Sequence, residues 1–427
     1  MVDVVAGLVV ASAVSRWSDD PYSLGAWSLL RVGGSAATRA ALGAPIAGRV
    51  IIAGEATHPD QAGMTHGAYE EGERAAQWCV ASGHQRVIVV GAGIAGLAAA
   101  ASLRREGLDV TVIDARERMG GRIRSVTLDG VAVELGANWL QQGERNPLRD
   151  VARHLAANLV PTDFHRPFDV DLRGGRHNES PNAAVRDAVA GEFMAEVATV
   201  GDVDASLQVI VDRLVDRRPE RAAEIQREVD ASVYLDAGAP LETLSAKFGF
   251  EPGVGDGDDW IVAGYGRILD HLSDGLDIRY NSPVRSIGYG SDAVEIRCGG
   301  RTFSADAAVV TIPIAVLKSS AVSFEPLLPQ SHQACLDLLT AGRVEKVALV
   351  CSERFWPVSP SGYLRVFEGR ERCVSEWLDL TDTVGRPVIT GLFVGPWMEE
   401  LWASTDDVEV AMRAADVLRR AAGVTAK

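Results

Sequence analysis

The sequence predicts an α/β protein built on a parallel strand–helix–strand unit, continued by a second part of α+β character. Three observations carry that prediction. The apolar run 87–90 (VIVV) has the length and composition of a buried parallel strand. Gly91, Gly93 and Gly96 follow in the pattern G-x-G-x-x-G and open an Ala-rich helical stretch. A second apolar run, 110–113, ends in Asp114, 18 residues after Gly96.

Each part has a physical task. Gly91 permits a tight turn out of the strand, Gly93 leaves a pyrophosphate unobstructed, and Gly96 lets helix and strand pack closely. The helix start at Ile94 and Ala95 offers free N–H groups and a partial positive charge to phosphates. Asp114 stands where a carboxylate accepts hydrogen bonds from a ribose. A lone G-x-G-x-x-G also occurs in plain turns; the strand before it, the helix after it and the acid at this distance favour a Rossmann-like dinucleotide site. The glycines do not choose between NAD and FAD. Their continuation, Ala115-Arg116 and then Gly120-Gly121-Arg122, resembles the second half of the flavoprotein fingerprint, where a further arginine approaches the phosphates. That resemblance implies FAD.

At 427 residues the chain has room for two domains. Its 47% apolar and 23% charged composition is that of a globular protein. A net charge of −16 argues against a nucleic-acid surface and agrees with a cationic substrate, although it also serves solubility. Five scattered cysteines without C-x-x-C spacing read as reduced thiols of a cytoplasmic protein. Neither they nor the eight histidines have metal-ligand spacing. The apolar start, 1–14, is too short to span a membrane, and Asp3 stands where a signal peptide needs positive charge, so it reads as a buried strand.

Two stretches ahead of the glycine motif carry a family resemblance. One holds Trp17, Asp20, Pro21, Gly25 and Ser28. The other runs from a short strand at 50–52 through Ala53-Gly54-Glu55 to Gly63, Gly67, Ala68 and Gly72. Both resemble the C-terminal part of the flavin-dependent amine oxidases, the group of monoamine and polyamine oxidases. In that family this region follows the Rossmann stretch; here it precedes it. The helix ending near Ala81 passes through 82–85 into the first Rossmann strand, so the order resembles a circular permutation with its joint near 80–86. Closely spaced surface termini make such a joint permissible.

The resemblance implies a GR2-type FAD-binding domain over 20–162 and 245–330, and an α+β substrate domain over 1–19, 163–244 and 331–427. It implies that Gly136, Ala137, Asn138 and Trp139 run beside the isoalloxazine and that Val284 lies against the adenine. Gly54, Glu55, Gly63, Met64 and Thr65 fall in the segment that faces the flavin. Lys346, ahead of Phe355-Trp356, matches the lysine that holds a water beside flavin N5; its plain reading is a strand lysine on the surface. Trp27 and Met64 match positions bounding the amine path, which core packing explains equally well. Gln141 stands where many polyamine oxidases carry an acid, which weakens a polyamine reading unless Glu144 compensates. Ala26 replaces the flavin-linking cysteine of monoamine oxidases, so FAD is expected to be non-covalent.

The absence of a serine, cysteine or paired-carboxylate catalytic pattern suits cofactor chemistry. The expected reaction takes hydride from the α carbon of a small amine or amino acid to flavin N5, giving an imine and, with O2, hydrogen peroxide. Trp139, Trp27 and Gln141 are the expected substrate contacts. The rival readings are a flavin desaturase or dehydrogenase and a non-catalytic FAD-holding scaffold. Residues 171–182 and 251–259 read as loops, 184–230 as helical, and the substrate and oligomeric state, a homodimer included, stay open.

Overall fold

The computed structural model describes residues 7–173, 176–179, 183–249, 257–262 and 264–423. Its centre is a five-stranded parallel sheet in the order Asp277–Arg279, Asp109–Ile113, Arg86–Val90, Ala307–Val310, Val50–Ile52. The inner strands are mainly apolar and buried because helices and a second layer cover both faces, whereas the edge strand Asp277–Arg279 carries exposed charges at both ends. Val50–Ile52, from ahead of the glycine motif, is thus an edge strand of the same sheet. The helix Thr65–Ala81 then returns across the sheet to feed Arg86–Val90, whose end opens the helix Ile94–Arg105. Ala75, Ala76 and Cys79 of the first helix share one core with Leu97, Ala99, Ala100 and Leu103 of the second.

A second sheet of seven strands runs in the order Val9–Val14, Val344–Cys351, Val388–Val394, Val374–Asp379, Tyr363–Phe367, Phe168–Asp171, Arg176–Glu179. It is antiparallel except where Phe168–Asp171 lies parallel to Tyr363–Phe367. Every residue of Val344–Cys351 is buried. With a side-chain period of two, Val347 and Leu349 pack under the helix Asp407–Ala421, while Val344 joins the helical core and Lys346 faces the cavity between the layers.

Three expectations are adjusted. The N-terminal strand forms as Val9–Val14, but at the sheet edge and mostly half-buried, because only the Val344–Cys351 side pairs with it. The segment read as a loop over 171–182 holds an antiparallel pair, Phe168–Asp171 with Arg176–Glu179; its Gly, Asn and Pro content hid a short edge pairing, and 174–175 and 180–182 lie outside the described residues. The expected loop at 251–259 closes with the strand Asp259–Ile261, and 251–256 lie outside the described residues. The helical reading of 184–230 matches Ala183–Val197, Leu207–Arg217 and Ala222–Val229.

Candidate active site

The strand Arg86–Val90 ends at Gly91, whose φ of +110° is open only to glycine at low cost. A Cβ on Gly96 would stand 1.8 Å from the Gly91 carbonyl oxygen, so the helix crosses the strand end at a distance only glycine allows. Gly93 has no neighbouring atom within 4 Å of its would-be Cβ, and it borders a cavity of about 980 Å³. That cavity runs from the glycine turn between the two sheets to the helical lobe. Of the residues read from sequence as cofactor, catalytic or substrate contacts, all line it except Gly96, which packs helix on strand instead. The two stretches on either side of Gly83 therefore close on one space: Gly54, Gly63, Met64 and Thr65 from the first, Gly93, Arg122, Gly136 and Lys346 from the second. Glu144 lies outside the described side chains.

Asp114 accepts from the backbone N–H of Ala92 at 2.7 Å and of Arg116 at 2.7 Å, tying the second strand to the glycine turn. Arg116 is held by Asp20 (2.8 and 2.9 Å) and Ser23 (2.7 Å), which clamps the N-terminal segment onto the turn. Glu55 accepts from Arg122 (2.8 Å), Ser28 (2.7 Å) and the Gly63 N–H (2.9 Å). Burial opposes its charge, but Arg122, Ser28 and Arg39 outweigh burial and hold its carboxyl below the usual value.

Lys346 is 6% exposed. Its Nζ donates to the Gly136 carbonyl at 2.6 Å and to Asn138 Oδ1, and stands 5.3 Å from the centre of the Trp139 ring. Burial pulls the ammonium down to about 8, against the attraction of Glu134 and Glu376. An ammonium has three donors, so one remains for a group in the cavity. Trp27, Met64 and Gln141 border the same space. None of the five cysteines does, so no thiol stands ready to link a cofactor.

Sequence reading missed the far wall. Trp139, Phe164 and Tyr363 form a continuous edge-to-face row, with ring centres 5.3 and 5.1 Å apart. Beside it Arg365 is gripped by Asp169 (2.8 and 2.9 Å), with Glu228 at 3.5 Å. Tyr363 donates to Glu376 at 2.8 Å, and Asp236 closes the end. A signal was present: Arg365, Glu376 and Asp236 are lone charges inside apolar runs, where a charge needs a partner or a ligand.

The cavity fits FAD on its own terms: a helix N-terminus and a glycine turn open to one end, with empty space at Gly93 and Gly54 where a side chain would intrude. Residues 7–80 and 94–427 match the family model for flavin containing amine oxidoreductase. The chain belongs to that family. It is accordingly a flavin amine oxidase with FAD as cofactor. Among its relatives, polyamine oxidase 2 of Arabidopsis thaliana is 31% identical over 341 residues, spanning 75% of this chain and 69% of the relative. Lysine-specific histone demethylase 1 homolog 2 of the same plant is 33% identical over 290 residues, spanning 63% of this chain and 38% of the relative. A solved structure of wild-type putrescine oxidase bound to putrescine superimposes with a TM-score of 0.61 at 20% identity, covering 79% of this chain and 81% of that one. This flavin amine oxidase thus shares its family with enzymes named for different amines, and the substrate wall has to be read from its own residues.

Proposed function

We propose that this flavin amine oxidase oxidises a small free amine, rather than an amino acid, and uses O2 as its electron acceptor. One observation carries the choice: the wall opposite Lys346 offers the acids Glu376 and Asp236, while the one arginine among its described residues, Arg365, is already gripped by Asp169 and Glu228. An amino-acid carboxylate would find no open cation there and would meet two acids. The names of the polyamine and putrescine oxidases among its relatives and structural neighbours support an amine.

In this reading Asp114 and Val284 hold the adenosine end, the turn from Gly91 to Gly96 and Arg122 the pyrophosphate. Gly136 to Trp139, with Gly54 and Gly63 to Thr65, border the ring system. Bound FAD supplies the hydride acceptor and the route to O2. The chain's own part is to admit the amine in neutral form, to align its α carbon between Trp27, Met64 and Trp139, and to exclude bulk water. Lys346, drawn down to about 8, holds a water with its remaining donor and can move a proton at Nζ near neutral pH.

The same reading treats the chain order as a circular permutation. The family match falls into two stretches, 7–80 and 94–427, parted at the joint, and Val50–Ile52 pairs with Ala307–Val310 as a neighbouring strand. No described helix is long and apolar enough to cross a membrane.

The test is anaerobic mixing of the holoenzyme with aliphatic amines and with amino acids. Flavin bleaching by amines, and peroxide on admitting air, are expected. Lys346→Met should slow aerobic turnover by about 10²-fold or more. Bleaching by amino acids in preference to amines would overturn the choice of substrate.

A further inference from the structure

The strand Val344–Cys351 carries a second buried charge beside Lys346 that the oxidation step does not use. Successive side chains on a strand face opposite ways. Lys346 faces the cavity, while Glu345 does not border it and meets the segment 15–18 instead. Glu345 is 2% exposed. Its Oε2 accepts from the Ser15 hydroxyl and from the Trp17 N–H at 2.9 Å, and its Oε1 from the Ser18 N–H at 2.8 Å.

These contacts close a ring on Lys346. The Ser15 hydroxyl, while donating to Glu345, accepts from the Lys346 backbone N–H at 2.7 Å. Trp17, held at its own N–H by Glu345, donates its indole N–H to the Leu135 carbonyl at 2.8 Å. Leu135 precedes Gly136, whose carbonyl accepts from Lys346 Nζ at 2.6 Å. The path therefore leaves Lys346 by its backbone and returns to its ammonium. Ser15, Trp17, Leu135, Glu345 and Lys346 are all buried, so little water competes for these donors.

The second acceptor of Nζ, Asn138 Oδ1, sits on the same 135–138 segment. With one bond to Cε and two donors tied to this segment, the third N–H of a tetrahedral ammonium has one direction left. Where that donor points is thus set by where residues 136 and 138 stand. The Arg124 carbonyl holds one end of the segment, accepting from the Leu135 N–H at 2.9 Å, and Tyr265 holds the other, donating to the Trp139 carbonyl at 2.6 Å. Trp17 ties the segment to the lysine strand.

We propose that Glu345, Ser15 and Trp17 are positioning residues for Lys346: through this ring they fix the separation of the lysine strand from the 135–138 segment and so aim the remaining donor of the ammonium into the cavity. The proposal rests on the reading of Lys346 as the group that holds a water there. Trp17→Phe keeps an aromatic ring but leaves the buried Leu135 carbonyl without its donor, which the segment can cure only by moving. Glu345→Gln keeps the shape but turns one accepting oxygen into a donor that faces other donors.

Two measurements on the holoenzyme test the ring, with visible flavin absorbance as the check that each variant is folded and loaded. The first needs no amine: dithionite-reduced enzyme is mixed with aerated buffer, and the return of flavin absorbance gives the reoxidation rate. Trp17→Phe and Glu345→Gln are each expected to slow it by about 10-fold, inside the roughly 10²-fold that a misplacement of about 1 Å can cost. In a Lys346→Met background the same substitutions should change it by less than about 2-fold, because a positioning residue acts only through the group it positions. Wild-type reoxidation in both variants, or the same loss persisting beside Lys346→Met, overturns the proposal. The second measurement reads Lys346 directly. The chain has four lysines, so NMR of ¹⁵N-lysine protein identifies Lys346 as the ammonium signal missing from Lys346→Met. Below pH about 8, where Nζ is charged, its hydrogen exchange should be slow in wild type and quicken by about 10-fold or more in Trp17→Phe. Equal exchange in the two overturns the ring's hold. A Lys346→Met enzyme that reoxidises like wild type would instead overturn the reading of Lys346, and the exchange measurement would still decide the ring.

Discussion

The glycine turn makes a prediction in which two neighbouring substitutions part company. Gly93 has ordinary backbone angles, φ −72° and ψ 174°, and nothing within 4 Å of its would-be Cβ. Gly93→Ala should therefore leave the FAD-free protein as stable as wild type. Its methyl points into the cavity, where close packing of a pyrophosphate leaves no room for it. Overpacking by one methyl costs about 1–3 kcal/mol, or roughly 10–100-fold in the Kd for FAD. Gly96 does not border the cavity, but its Cβ would meet the Gly91 carbonyl at 1.8 Å. That atom is backbone and cannot swing aside, so helix and strand end must part by roughly 1 Å, again at about 1–3 kcal/mol. Here the loss falls on the protein with or without FAD, as a melting temperature lower by about 1–3 °C for a chain of this size. The assay is a thermal melt of FAD-stripped protein, followed by titration with FAD and reading of flavin fluorescence. A Gly93→Ala protein that binds FAD as tightly as wild type, or a Gly96→Ala protein that melts with it, would refute the reasoning.

Three further outcomes follow from the buried charges and thiols. Glu55→Gln removes the charge and one of the two oxygens that accept from Arg122, Ser28 and the Gly63 N–H and should weaken the holoenzyme by about 1–3 kcal/mol at neutral pH. Because the folded Glu55 carboxyl titrates below its ordinary value of 4.5, its contribution is complete above that pH and lost as pH falls through the lower folded value; the gap between variant and wild type in pH-dependent melts should close on the acid side. Arg365→Met removes the buried cation between Asp169 and Glu228 and leaves them only the more distant Arg227, 3.8 Å from Asp169. Urea unfolding should then begin earlier by the equivalent of about 3–5 kcal/mol, and amino acids should remain non-substrates. All five cysteines are free and buried, and burial lifts Cys79 and Cys351 up to about 12; a disulfide reagent should find them unreactive in the native protein and count five thiols after denaturation.

The sequence by itself determined the parts of this enzyme whose function is local. A turn from strand to helix that passes a phosphate needs glycine at fixed offsets, so Gly91, Gly93, Gly96 and Asp114 were legible from spacing alone. The strands Arg86–Val90 and Val388–Val394 were legible because burial on both faces writes them as mainly apolar runs, broken only by Arg86 at one start and by Thr390-Gly391 in the middle of the other. The bearing of Ala53-Gly54-Glu55 on that site was readable only through likeness to a family, since no local rule links it to Gly93.

The tertiary structure alone decided what faces the substrate. Asp236, Glu376, Arg365 and Lys346 lie on separate segments, and only strand register sets the last three in one row. In sequence, Glu376 and Ser375 differ by one position; in the sheet they face opposite sides. Register is fixed by the fit of whole apolar faces, a property of many residues at once. The charge of the pocket therefore came into view only when the strands were paired.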